Sequence, residues 1–143
     1  MIKKLKIKNA EIVKLHFFDD SPDGNLVIAE SKRNVPFEIK RVFFINSLFN
    51  KKAVRGEHAH KKLEQIIFCV NGKFTLHLDD SSNKQKIIMD NPYCGIRLGP
   101  KIWLKMTNFS NDCVILVLAN DYFDESDYLR NYKEFLKYAN SLL

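Results

Sequence analysis

Residues 55–72 read RGEHAHKKLEQIIFCVNG, and the fold follows from how that stretch alternates. His58 and His60 are separated by one residue. In an extended strand successive side chains point to opposite faces, so both imidazoles project to the same side. Imidazole titrates close to neutral pH, and two of them on one face mark it as a place where protons can move. Lys61 and Lys62 interrupt the strand as a polar turn, and Leu63 to Val70 is apolar enough to form another. Asn71-Gly72 closes it with the strongest short hairpin signal. The stretch therefore predicts strand, turn, strand and hairpin, with His58, His60 and Gln65 able to converge.

The same alternation continues outward. Phe74, Leu76 and Leu78 alternate with Thr75, His77 and Asp79, which predicts a strand buried on one face, with His77 exposed and structural. Asp80 to Asn83 is a turn, Gln85 to Met89 returns, and Asn91-Pro92 and Gly99-Pro100 mark two more turns. Ile102 to Met106 and Val114 to Ala119 are the last strands. On the N-terminal side, Ile39 to Ile45 is rich in β-branched and aromatic residues and predicts a buried strand. Asn46 to Val54 is a loop. Leu26 to Glu30 is a short strand after the turn cluster Asp19 to Gly24. Leu5 to Leu15 fits one strand or a pair, with Leu5, Ile7, Val13 and Leu15 on one phase. Short, regularly spaced strands predict an all-β protein, an antiparallel barrel or sandwich. From Asp124 the period changes: Leu129, Tyr132, Leu136, Ala139 and Leu143 recur at helical spacing, predicting a C-terminal α-helix over about 124–143 capped by Asp124 or Ser126.

A chain of 143 residues is long enough for a single core, and one domain over 1–143 is expected. It is 45% hydrophobic and 28% charged, a globular and not a disordered composition. No apolar run suffices to cross a bilayer. The basic N-terminus MIKKLKIKNAEIVKL lacks the apolar core of a signal peptide, so a cytoplasmic protein without a membrane partner is expected. Cys69, Cys94 and Cys113 show no C-x-x-C spacing and read as buried, reduced thiols. The net charge of +6 suits an anionic partner, but the lysines are dispersed without a basic helix or aromatic-interleaved patch, and nucleic acid is not expected.

The histidine pair admits three readings. A metal site needs a third ligand from a neighbouring strand; Glu57 or Glu64 could supply it, whereas the stretch PKIWLKM offers Leu104 and Lys105. A metal-free acid–base site uses imidazoles whose ordinary pKa of about 6.5 suits a proton shuttle. Arg55 would then stabilise a developing oxyanion. In the third reading both rings are structural. Arg41 could meet an anionic ligand or form an ion pair, Arg97 could lie at the barrel mouth, and Trp103 could stack on a base or sugar or belong to the core.

RGEHAHKKLEQ resembles the first signature motif of the cupin superfamily. Taken with LDD at 78–80, LGP at 98–100, Trp103 and VLANDYFDESDYLRNYKEF at 117–135, the chain resembles the sugar-nucleotide 3,4-ketoisomerases in order from Asn34 to Phe135. The resemblance implies an antiparallel jelly roll and the isomerisation of dTDP-4-keto-6-deoxy-D-glucose. The keto group would move from C4 to C3 through an enediol, on the way to 3-amino-3,6-dideoxy sugars of surface polysaccharides. It implies a homodimer that exchanges N-terminal strands and needs neither metal nor other cofactor. It places the base at His58, its acid–base partner at His60, and substrate contacts at Arg55 and Gln65, to which Arg41, Arg97 and Trp103 are added as candidates. A metal-dependent cupin enzyme and a non-catalytic sugar-nucleotide binding module are the alternatives. The chain departs from the family pattern at Phe43 and Phe44, where tyrosines are usual, at WLKM, and at Asp23-Gly24.

Overall fold

Alternating apolar positions on neighbouring strands have to be covered by a second layer, and here two five-stranded antiparallel sheets cover each other. A computed structural model describes residues 4–141. Its strands are β1 (Ala10–Lys14), β2 (Phe17–Asp19), β3 (Asn25–Val27), β4 (Arg41–Ile45), β5 (Arg55–His60), β6 (Gln65–Asn71), β7 (Phe74–Asp79), β8 (Lys84–Met89), β9 (Cys94–Leu98), β10 (Trp103–Thr107), β11 (Val114–Ala119) and β12 (Tyr128–Leu129), followed by helix α1 (Tyr132–Ser141). One sheet has the order β1-β9-β6-β11-β4 and the other β12-β5-β10-β7-β8, while β2 and β3 pair only with each other. Ile67, Ile96, Leu98, Ile115 and Val117 of the first sheet share one buried cluster with Phe74, Leu76, Leu78, Leu104 and Met106 of the second. Each such side chain, fully buried, is worth roughly 1.5–3 kcal/mol. This is the antiparallel sandwich that the strand spacing predicts, in the jelly-roll form that the resemblance implies, with the C-terminal helix that the later spacing predicts.

Four local expectations are revised. Asn71-Gly72 does not close a hairpin: β6 pairs with β9 and β11, and β7 with β8 and β10, so the turn carries the chain from one sheet to the other. It is pinned by the loop before β11, where Asn71 Nδ2 donates to the Asp112 carbonyl (2.8 Å) and Ser110 Oγ accepts from the Lys73 amide (2.9 Å). Leu5, Ile7, Val13 and Leu15 do not share a phase. Ile7 and Leu5 pack in the central core, whereas Val13 and Leu15 pack with Val35, Phe37, Ile66 and Phe68 on the outer face of the first sheet. Asn9, at φ +64°, turns the chain between them. His77 is half-buried, and its Nε2 lies 2.7 Å from Thr107 Oγ1.

The helix is shorter than its periodicity suggests. Asp124 caps a single 3-10 turn, Glu125–Asp127, by accepting from the Ser126 amide, and Tyr128–Leu129 is extended against β5. Asn131 then starts α1: its side chain accepts from the Glu134 amide and its carbonyl from the Phe135 amide. Phe135 is fully buried with Ala59 and Leu129, which seats the helix on the outer face of β5. Leu143 lies outside the described residues.

A bulge in β5 decides what shares its inner face. Leu104 opposes His58, but Lys105 opposes Gly56 and Met106 opposes Arg55, so Glu57 is the extra residue. Gly56 and Glu57 both have positive φ, +84° and +57°. Without the bulge Arg55, three positions from His58, would point to the other face; with it, both align with the inward pair Leu104 and Met106. A Cβ on Gly56 would meet Leu104 Cδ1 at 2.9 Å and the Leu104 carbonyl oxygen at 3.0 Å. Gly56→Ala therefore combines left-handed backbone strain with a clash, and should lower the unfolding free energy by roughly 1–3 kcal/mol, read from the urea midpoint.

Candidate active site

His58 and His60 stand on the inner face of β5, their ring centroids 5.0 Å apart and their planes nearly perpendicular. Ala59 between them faces outward under α1. The antiparallel pairing of β12 sets Tyr128 opposite His60, and its ring lies 4.9 Å from His58 and 4.5 Å from His60. One residue earlier, Asp127 accepts from His60 Nδ1 (3.0 Å) and from the amides of Lys62 (2.7 Å) and Leu63 (3.3 Å). An ionised carboxylate only accepts, so Nδ1 carries the proton and Nε2 is left with a lone pair.

Two arginines flank the pair. Arg130 lies over the Tyr128 ring at 4.2 Å and is held by both oxygens of Glu125. Arg41, on the inward phase of β4, lies over Phe43 (5.4 Å) and Phe123 (5.9 Å). Among the described residues, the two buried side-chain atoms without a hydrogen-bond partner are Arg41 Nε and His58 Nδ1. Both belong to this cluster. Leaving a buried polar atom unpaired costs about 1–3 kcal/mol, and such a cost is expected where a ligand completes the bonding.

Burial pushes the His58 pKa down to about 4, with the neighbouring His60 acting in the same direction and the Gly56 backbone close to the ring offsetting part of it. Burial also lowers that of His60, against the pull of Asp127. Both rings are therefore neutral at pH 7. A neutral imidazole can accept a proton from carbon or oxygen and, once protonated, return it, which is what an enolisation needs.

Of the other residues singled out in the sequence, Arg55 is exposed at the rim on the histidine side of β5. Gln65 is buried at the start of β6 and shares the inward phase of Ile67 and Cys69. Two are not brought to the histidines. Arg97 opposes Glu11 and Ile66, which puts it on the outer face of the first sheet. There its guanidinium is taken up by Glu64 (2.8 Å), Glu11 (3.0 Å) and Asn9 (3.2 Å), so it is not free at the barrel mouth. Trp103 lies on the outer face of the second sheet, edge-on to Tyr132 at 5.3 Å and tilted against Phe135. Next to it is a cleft of about 560 Å³, also lined by Glu57, His77, Lys84 and Tyr132. Another, of about 850 Å³, runs along Ile12, Phe17, Pro92 and Tyr93. Neither includes His58 or His60. Asp127, Tyr128 and Arg130 are not singled out, because their stretch reads as the start of a helix, and Phe123 lies just before it. The signal for them is the pairing of extended Tyr128-Leu129 with β5, which periodicity alone does not register.

No group of three or more metal-ligating side chains occurs among the described residues. Leu104 opposes His58 on β10.

The family described as "FdtA: WxcM-like, C-terminal" matches residues 8–140. The chain belongs to this family. It is 49% identical over 115 residues to the TDP-4-oxo-6-deoxy-alpha-D-glucose-3,4-oxoisomerase of Aneurinibacillus thermoaerophilus, covering 80% of this chain and 82% of that one. Among solved structures, it is similar to a histidine-to-asparagine variant of the 3,4-ketoisomerase QdtA from Thermoanaerobacterium thermosaccharolyticum, in complex with TDP-4-keto-6-deoxyglucose. That match has a TM-score of 0.91 and 36% identity, covering 94% of this chain and 96% of the other. The TDP-quinovose 3,4-ketoisomerase WlaRB of Campylobacter jejuni matches with a TM-score of 0.86 and 41% identity, over 92% and 99% of the two chains.

The depressed pKa of His58 has a consequence for stability. The unfolded ring protonates near pH 6.5 and the folded one near 4, so the unfolded state binds more protons between those values. Stability should fall as pH drops through this window, and in His58→Asn that part of the slope should vanish, as comparison of thermal melts of the two proteins from pH 7 to pH 4 would show.

Proposed function

We propose that the chain is a sugar-nucleotide 3,4-ketoisomerase that moves the keto group of dTDP-4-keto-6-deoxy-D-glucose from C4 to C3. The observation that carries this reading is the pair of neutral imidazoles on the inner face of β5, one with an unpaired buried nitrogen, beside an arginine with another. The membership of a family whose relatives are named as ketoisomerases supports it.

The reaction is internally balanced. A base takes the proton from C3, leaving an enediolate whose charge rests on O4; the O3 proton passes to O4 by way of the His60 Nε2 lone pair, and the base returns its proton to C4. No electrons leave the sugar. His58 is the base at carbon and His60 its acid–base partner. Arg41, with its unpaired Nε, and Arg55 at the rim meet the diphosphate or the enediolate oxygens, where fixed positive charge stabilises developing negative charge. Gln65 lines the sugar pocket from the opposite sheet. Arg97 and Trp103 keep the outer faces of the two sheets in place and are left out of this site. A deuterium oxide assay with dTDP-4-keto-6-deoxyglucose, followed by proton NMR, tests the reading. The wild type should exchange the C3 hydrogen and form the 3-keto product. His58→Asn should lose about 10²- to 10⁴-fold in rate while binding dTDP within about threefold of wild type. Turnover abolished by a chelator and restored by a divalent metal would replace this reading by a metal-dependent enzyme, and nucleotide binding without wild-type turnover by a binding module.

We also propose a homodimer in which N-terminal strands are exchanged. In this structure β1 pairs with β9 of its own chain, which leaves the β2–β3 hairpin as the segment to reach a second copy. That hairpin exposes Phe17, Phe18 and Leu26 at 41%, 46% and 53%. Leu26→Asp with Phe18→Asp should shift the molar mass measured by light scattering from dimer to monomer; a wild type that is already monomeric would reject the dimer.

A further inference from the structure

Three observations converge on a residue outside the histidine motif. Asp127 is 67 positions from His60, yet its carboxylate reaches the Nδ1 of a ring that is 4% exposed. The carboxylate is itself fixed: Oδ1 accepts from the Lys62 amide and Oδ2 from the Leu63 amide, and the Asp127 carbonyl accepts from Lys61. His58, by contrast, has no hydrogen-bond partner on Nδ1. The two imidazoles are thus chemically unequal although they sit on one strand face.

We infer that Asp127 is the positioning residue of the isomerase site: it locks His60 in the Nδ1–H tautomer, offers its Nε2 to the sugar, and makes His60 the ring on which positive charge is tolerated during turnover. The inference rests on the ketoisomerase reading for its last clause only. A buried imidazole that takes up a proton needs a nearby negative charge to offset desolvation. The groups facing His60 are Asp127 from the 3-10 turn, Arg41 from β4, Arg130 after β12, the neighbouring His58 and Tyr128. Of these Asp127 pulls its pKa up, whereas Arg41 and Arg130 push it down. Among the described residues, Asp127 is the one counter-charge at hydrogen-bond distance. The arrangement follows the logic by which a buried aspartate orients a catalytic histidine in serine hydrolases, where replacing the aspartate by asparagine costs about 10⁴-fold in rate through the wrong tautomer.

The test is Asp127→Asn in the full chain, with the side-chain nitrogens observed by ¹⁵N NMR and kinetics in parallel. The asparagine oxygen would keep the Lys62 amide, which turns its NH₂ toward His60 Nδ1 and reverses the tautomer. Wild type should show a protonated Nδ1 and an unprotonated Nε2 on His60, and Asp127→Asn the reverse. The kcat should fall about 10²- to 10⁴-fold with KM within about threefold. The pH-profile limb that reports His60 should move to lower pH, since the group that raises its pKa is gone. An unprotonated Nδ1 in wild type would overturn the inference, and that spectrum needs no variant to fold. So would an Asp127→Asn protein that keeps the wild-type tautomer, whether active or not, because Asp127 would then only hold the Lys61–Leu63 turn. Wild type with the expected tautomer but no isomerisation of any TDP-ketosugar would leave the positioning intact and remove the ketoisomerase reading instead.

Discussion

The pairing of β5 between β10 and β12 is the constraint on which the rest of the site depends. On one side, β10 absorbs an extra residue at Glu57, and that bulge puts Arg55 on the same face as His58. On the other, β12 is only two residues long, but its pairing with Ala59 and His60 carries Asp127 and Tyr128 to the histidines. The same strand shows Ala59 to the outside, where Leu129 and Phe135 close over it. One strand therefore bears both histidines on its inner face and seats the helix on its outer face. Neither side can be altered without disturbing the other, because a pleated strand has no third direction in which to place a side chain.

Electrostatics then distinguishes residues that look alike in composition. Arg97 and Arg41 are both arginines in apolar strands. Arg97 is compensated by Glu11 and Glu64 and serves the first sheet's outer face, whereas Arg41 is cushioned by aromatic rings and keeps an unpaired Nε. The histidines divide the same way, one backed by a carboxylate and the other not. Both rings rest neutral, as a base that must first accept a proton has to be, and Asp127 gives one of them a counter-charge.

Much of this was legible from residue patterns. Residue patterns marked β4, β5, β7, β8, β10 and β11 within a residue or two, although β4, expected to be buried, is an edge strand that exposes Val42 and Phe44, and the His-x-His spacing put both imidazoles on one face. Where the pattern misled, a competing interaction explains it. Asn71-Gly72 has the residues of a hairpin, yet its flanking strands have inward faces that must bury against each other, so the turn spans the sandwich. The helical spacing after Asp124 is present, but Asp124 is used to cap a 3-10 turn and Asp127 to hold the turn at 61–63, which delays α1 to Tyr132. Trp103 was open between core and ligand, and its β10 register puts it on the helix side, opposite Leu104.

What the sequence determined by itself is local: which segments extend, which faces they bury, and that His58 and His60 share a face, because side-chain direction along a strand is a property of adjacent residues. What only the tertiary structure decided is which distant groups meet them. Asp127, Tyr128, Arg41 and Arg130 are separated from the histidines by long stretches of chain, and no periodicity encodes their approach. It is set by strand order, by a single bulged residue and by the packing of two sheets, which are outcomes of the whole chain burying its apolar surface at once.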